Sequence, residues 1–184
     1  MSPGDTPPSF GRFQLLQVVR RDGATTIHDA FDPELGHPVA LITSPARPGL
    51  DTAEDYRLAF RLRRMRHPNI VAVLDTGRQG QVSFVAAERL VTEPLSAFLA
   101  RAGRIPIFQG LALVLQLLSA VEHARARRMV PAAIDLEHVQ ITPAGQPKLP
   151  ADGWSLSSDR QPSLDAVAPL RQVLLAGPRA PPSR

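Results

Sequence analysis

Residues 66–71 read Arg66-His67-Pro68-Asn69-Ile70-Val71, and this short stretch is a junction between two kinds of structure. The residue before a proline avoids helical backbone, so His67 closes whatever helix precedes it. Looking back, Leu58, Leu62 and Met65 recur at i, i+4 and i+7, the stripe of an amphipathic helix. Asp51 and Glu54 have the spacing of a capping box, which starts that helix near Asp51 or Thr52. Arg57, Arg61 and Arg64 run beside the stripe as a solvated flank. Looking forward, residues 70–75 and 81–88 read as two strands joined by the polar turn Thr76-Gly77-Arg78-Gln79-Gly80.

Further outward the same punctuation continues. Residues 1–8 are polar and rich in Pro and Gly, without the features of a signal or transit peptide, and residues 1–10 read as a flexible leader. From Arg12 the chain alternates into three short strands, with Arg20–Gly23 and Asp32-Pro33-Glu34-Leu35-Gly36 as turns and Pro38–Thr43 as the third strand. After residue 90 the character becomes helical. Leu95, Phe98 and Leu99 mark a short helix closed by Gly103. A long one follows over about 108–127, with Leu111, Leu115 and Leu118 as its expected core stripe. A last helical candidate spans 164–176, before a Pro-rich tail at 177–184. The expected fold class is α+β: five antiparallel strands with one helix inserted after the third (11–90), then a mainly helical part (91–176).

Composition narrows the function classes. Apolar residues make up 43 % of the 184, enough for a buried core. There is no cysteine, which excludes disulfides, thiolate nucleophiles and cysteine-based zinc sites and fits a reducing, cytoplasmic setting. The net charge of +4 is arginine-driven, with Lys148 the only lysine. No nucleic-acid motif accompanies that charge, so no nucleic-acid partner is expected. Residues 105–121 carry no charge, but they are shorter than a bilayer span and contain Pro106, Gln109, Gly110, Gln116 and Ser119. They read as a buried helix, and no membrane span is expected.

The order of these elements, and five sequence stretches within it, resemble the catalytic domain of bacterial Ser/Thr protein kinases of the PknB-like type. The stretches are Phe31-Asp32-Pro33-Glu34-Leu35-Gly36-His37-Pro38-Val39-Ala40-Leu41, then residues 66–71, Phe84-Val85-Ala86-Ala87-Glu88, His123-Ala124-Arg125-Ala126 and Val139-Gln140-Ile141-Thr142-Pro143-Ala144-Gly145. The resemblance covers roughly residues 11–157, and implies a kinase-like N-lobe over 11–90 and a shortened C-lobe over 91–176.

The resemblance also assigns places to the residues that phosphoryl transfer uses: a Gly-rich loop, a lysine–glutamate pair, a catalytic aspartate and metal ligands. The three loop glycines fall at Arg20, Asp22 and Thr25, with Gly23 between them. The strand lysine falls at Ile42 and its helix partner at Leu58, two aliphatic side chains expected to touch. Pro131-Ala132-Ala133 stands in place of His-Arg-Asp, Asp135 in place of a lysine, and His138 in place of the metal-binding asparagine. Ala151-Asp152-Gly153 replaces Asp-Phe-Gly, and only about a dozen residues separate it from Asp165, with no Ala-Pro-Glu signature.

These places lead to the expectation of a pseudokinase, a kinase-like domain that is not an enzyme and serves as scaffold or allosteric regulator of a protein partner, either a kinase or its substrate. Two alternatives stand beside it. One is a divergent Ser/Thr kinase using Asp135 and Asp152; the other is a sensor that binds ATP without chemistry. No catalytic residue, cofactor or metal is expected. ATP is the one candidate ligand: the resemblance implies a vestigial pocket in which Ile27 and Ala40 would sandwich adenine and the backbone of Glu88 and Leu90 would meet it, with Gln140 in place of an apolar floor residue.

Overall fold

A computed structural model describes residues 8–46, 53–103, 105–131 and 134–156, with backbone alone at 53–55. The expected helix start at Asp51–Thr52, residues Ala132 and Ala133, and the helical candidate at 164–176 lie outside the described residues. The elements in order are β1 (Ser9–Phe10), β2 (Phe13–Asp22), β3 (Thr25–Asp32), β4 (His37–Pro45), α1 (Ala53–Arg64), β5 (Val73–Gln79), β6 (Val82–Glu88), β7 (Glu93–Pro94), α2 (Leu95–Ala102), α3 (Ile107–Arg125), β8 (Met129–Pro131), β9 (Gln140–Ile141), β10 (Pro147–Lys148) and β11 (Trp154–Leu156). The class is α+β, as the sequence predicts. The chain divides into two compact units, Met1–Met65 with Ala72–Leu90, and Arg66–Val71 with Val91–Arg184.

The first unit is built on an antiparallel sheet of six strands in the order β1-β2-β3-β4-β6-β5. Five strands were expected. The sixth, β1, lies in the stretch read as leader: Ser9 pairs with Gln14 and Phe10 with Phe13 around Gly11, whose φ of 56° lets the chain reverse there. Phe10 and Phe13 both set their rings edge-on to Phe84, which ties this short strand to the core.

Alternation along the strands separates two faces. Ala30, Val39, Leu41 and Ala86 join Phe13 in the buried cluster on one face. Ile27, Ala40, Ile42, Val85 and Ala87 share the other, as the register of β3, β4 and β6 dictates. Gly77 stands opposite Phe84 in the β5–β6 pairing, and a Cβ there would come within 2.8 Å of the ring. That close approach explains a glycine inside a strand.

Helix α1 lies against β5 with Leu62 and Met65 buried and Leu58 half-buried, the stripe expected from spacing. A charged network fastens the same region. Asp32, with no exposed surface, accepts hydrogen bonds from the Arg12 guanidinium at 3.0 and 3.1 Å and from the Glu34 backbone N–H. Arg12 also reaches Asp75 at 2.7 Å, and Arg63 of α1 pairs with the other oxygen of Asp75.

In the second unit α3 buries Gly110, Leu113, Leu117, Ala120, Val121 and Ala124. The expected stripe is therefore wrong: Leu111 and Leu115 are exposed and Leu118 is half-buried. The helix is so uniformly apolar that leucine spacing does not single out a face. Small residues mark the close-packed side instead. By length and composition α3 could cross a bilayer, and 33 % of its apolar window is buried.

Asn69 holds the 66–71 junction in this unit. Its amide donates to the Gln116 side chain at 3.0 Å and to the Pro147 carbonyl at 2.8 Å, and its own carbonyl accepts the Leu149 N–H. Lys148, the sole lysine, is 9 % exposed on β10. Trp154 is buried and donates its indole N–H to the Pro150 carbonyl.

His67 and His123 face each other with ring centroids 5.0 Å apart. The Asn69 N–H points at Nδ1 of His67, so the neutral ring carries its proton on Nε2 and donates to Ser119 Oγ at 3.2 Å. Among the described residues the buried Nε2 of His123 has no hydrogen-bond partner. Burial, helped by Lys148 for His67 and by Arg127 and the neighbouring ring for His123, holds both imidazoles below their ordinary value of 6.5.

The unfolded chain therefore takes up protons first as pH falls through 6.5, and the folded state loses stability on acidification. His123→Leu removes an unsatisfied nitrogen. Its melting temperature at pH 7.5 is expected to match or exceed the parent's, with a smaller fall between pH 7.5 and 5.5, as thermal scans would record.

Candidate functional site

The face of the first unit opposite the aromatic cluster carries the residues singled out for nucleotide contact. Period-two alternation puts Ile27 of β3 and Ala40 of β4 on that face, both half-buried. Ile42, 8 % exposed, lies on it between its register partners Ile27 and Val85. Glu88 ends β6 one residue after Ala87, so its side chain leaves from the other face. There its Oε1 accepts the Ala72 N–H at 3.0 Å, while its own N–H donates to the Ala72 carbonyl. Leu90 follows the strand and is half-buried. The structure thus brings Ile27 and Ala40 together and gives the Glu88 carboxylate a backbone partner elsewhere.

Sequence reasoning missed Asp29. It lies directly across from Ala40, buried, and accepts both arms of the Arg89 guanidinium at 2.8 and 2.9 Å and the Gln17 amide at 2.8 Å. The Arg89 bonds outweigh burial and hold its carboxyl below the ordinary range. The signal was a charged residue at a strand position that alternation assigns to the same side as Ile27. A carboxylate there needs a cation, and the arginine just past the strand end supplies it.

The second unit contributes a separate arrangement. Asp135 Oδ1 accepts the backbone N–H groups of Glu137 and His138, and both carboxylate oxygens lie 2.7–2.8 Å from His138 Nδ1. Burial raises the Asp135 carboxyl, but the His138 and Glu137 hydrogen bonds prevail and lower it. A carboxylate held in this way fixes the imidazole with its Nδ1 proton inward and Nε2 as an outward acceptor, the geometry of a base and its orienting group. Asp152 is half-buried and Ala151 buried. Among the described residues no group of three or more His, Asp and Glu is disposed to hold a metal ion.

No protein-family model matches the chain. It is similar to serine/threonine-protein kinase PknA of Mycobacterium tuberculosis, 28 % identical over 170 residues, covering 88 % of this chain and 39 % of the relative. Serine/threonine-protein kinase PrkC of Bacillus subtilis is 26 % identical over 146 residues, and the probable serine/threonine-protein kinase SCO3848 of Streptomyces coelicolor 29 % over 150. Each of these two alignments covers 76 % of this chain and 22 % of the relative. The chain thus spans less than two-fifths of the length of the curated relatives it matches.

The similarity supports a protein-kinase-like domain, and the antiparallel sheet with few helices is compatible with a kinase N-lobe. It corrects the expectation of a pseudokinase that is not an enzyme. The relatives are named as serine/threonine-protein kinases, which are enzymes, and nothing shows a loss of activity in this chain.

Proposed function

We propose that this protein-kinase-like domain acts in Ser/Thr-kinase signalling by binding a protein partner, a kinase or its substrate, as scaffold or allosteric regulator. The observation that supports this most is the finish of the β3–β4–β6 face. Ile42 fills it with hydrocarbon, and the Asp29–Arg89 pair occupies the position beside Ala40. An apolar face braced by the part-buried Asp29–Arg89 ion pair is suited to presenting a fixed shape to another protein.

The test is to add the purified chain to a Ser/Thr kinase from the same cell and follow phosphate incorporation into that kinase and its substrate. A several-fold change, saturating with added chain, is the expected result; an unchanged rate at tens of micromolar chain would overturn the reading.

A second reading, a divergent Ser/Thr kinase, is supported by the relatives' names and by the Asp135–His138 arrangement. Incubation with labelled ATP, magnesium and a generic protein acceptor tests it. Transfer that Asp152→Ala or His138→Ala abolishes would establish it. For the nucleotide itself, a melting temperature unmoved by millimolar ATP is expected, and a rise of several degrees would assign the Ile27–Ala40 face to ATP.

A further inference from the structure

The outward side of α1 departs from what a solvated helix face carries. Tyr56 is 72 % and Phe60 61 % exposed, and Arg57, Arg63 and Arg64 are exposed around them. At 100° per residue these five positions share an arc of about 120° opposite Leu62 and Met65. The described side chains of α1, residues 56–64, include four arginines and no carboxylate. The Arg64 guanidinium lies over the Phe60 ring at 5.1 Å, and Arg63 is paired with Asp75. Tyr56, Phe60 and Arg64 therefore form a line at i, i+4 and i+8, about 12 Å long.

Exposed aromatic side chains flanked by arginine match the composition of interface centres, where Tyr, Phe and Arg are enriched and carboxylates depleted. Burying these two rings removes apolar area from water, and the exposed guanidinium groups of Arg57 and Arg64 select what approaches. We infer that this face of α1 docks an acidic segment of a partner protein, one that carries an aromatic or aliphatic side chain among its carboxylates. The inference rests on the reading that the chain works through protein contact, and names the surface and the partner's chemistry. The length of the line favours a short peptide over nucleic acid: it is about 12 Å, whereas single strands are held along a longer basic groove.

The probes are a fluorescent 12-residue polyglutamate peptide with phenylalanine at positions 4 and 8, its polylysine counterpart, and a 12-nucleotide oligothymidylate. Anisotropy should show saturable, salt-sensitive binding of the acidic peptide alone. Phe60→Ala and Arg64→Glu, made separately and checked by circular dichroism, should each weaken it about tenfold or more. Leu35→Ser, on another part of the surface, should leave it unchanged.

Absence of acidic-peptide binding at millimolar concentration, tighter binding of the oligonucleotide, or full binding by both α1 variants would overturn the inference. The same variants separate it from the reading beneath it. If they regulate the partner kinase as the parent does, this face is wrong and partner binding stands. If the parent peptide binds as expected but no kinase responds, the reading fails and the face stands.

Discussion

Ile42→Lys is expected to lower the stability of the domain by about 3–5 kcal/mol, the cost of leaving a charge buried without a partner. Ile42 is nearly sealed in the sheet, and its register neighbours Ile27 and Val85 supply only hydrocarbon. Denaturant melts compare the variant with the parent, and a loss under 1 kcal/mol would mean that the lysine reaches solvent or an existing acid. The informative step is the second substitution. If the Leu58 side chain of α1 meets position 42, Leu58→Glu alone is also destabilising, and the double variant recovers at least 1 kcal/mol of the summed losses. Additive losses would place the two side chains apart. The cycle thus tests whether an aliphatic pair stands where the kinase-like resemblance implies an ion pair.

Arg12→Ala is expected to cost about 3 kcal/mol. The substitution strands the Asp32 carboxylate, which has no exposed surface, and removes the guanidinium shared with Asp75. Burial works to raise the Asp32 carboxyl, but the hydrogen bonds from Arg12 and from backbone N–H groups lower it below the ordinary carboxylate value. A depressed carboxyl contributes stability above its unfolded value and loses that contribution as pH falls through the folded one. The parent should therefore weaken in acid more steeply than the variant, and the two melting curves should converge as pH falls. Parallel curves would contradict the network's role.

The α1–β5 boundary was legible because proline dictates backbone conformation locally and Leu58, Leu62 and Met65 mark the side that packs inward. The strands were legible from apolar runs bounded by turn residues, as Pro38–Thr43 is after Asp32-Pro33-Glu34-Leu35-Gly36. The face of α3 was not. Where almost every residue is apolar, burial is decided by which side chains are small enough to let neighbours close in, as at Gly110, Ala120 and Ala124. Strand β1 was missed because two residues carry no periodicity, and only the pairing of Ser9 and Phe10 with Phe13–Gln14 makes them a strand. The Asp29–Arg89 pair joins residues 60 positions apart, a relation that a one-dimensional pattern does not encode. Ile27 and Ala40 were singled out by the kinase-like resemblance, and their common face follows from the β3–β4 register, whereas the Glu88 carboxylate's partner, the Ala72 N–H, is not written in the sequence.

The lone lysine on the small β9–β10 hairpin turns the chain into its own clock. Amine-acylating reagents, and proteases that cut only after lysine, have one internal target in these 184 residues, and it is almost shut away from water. The speed at which either reaches Lys148 therefore counts how often that hairpin comes apart while the rest of the molecule stays folded.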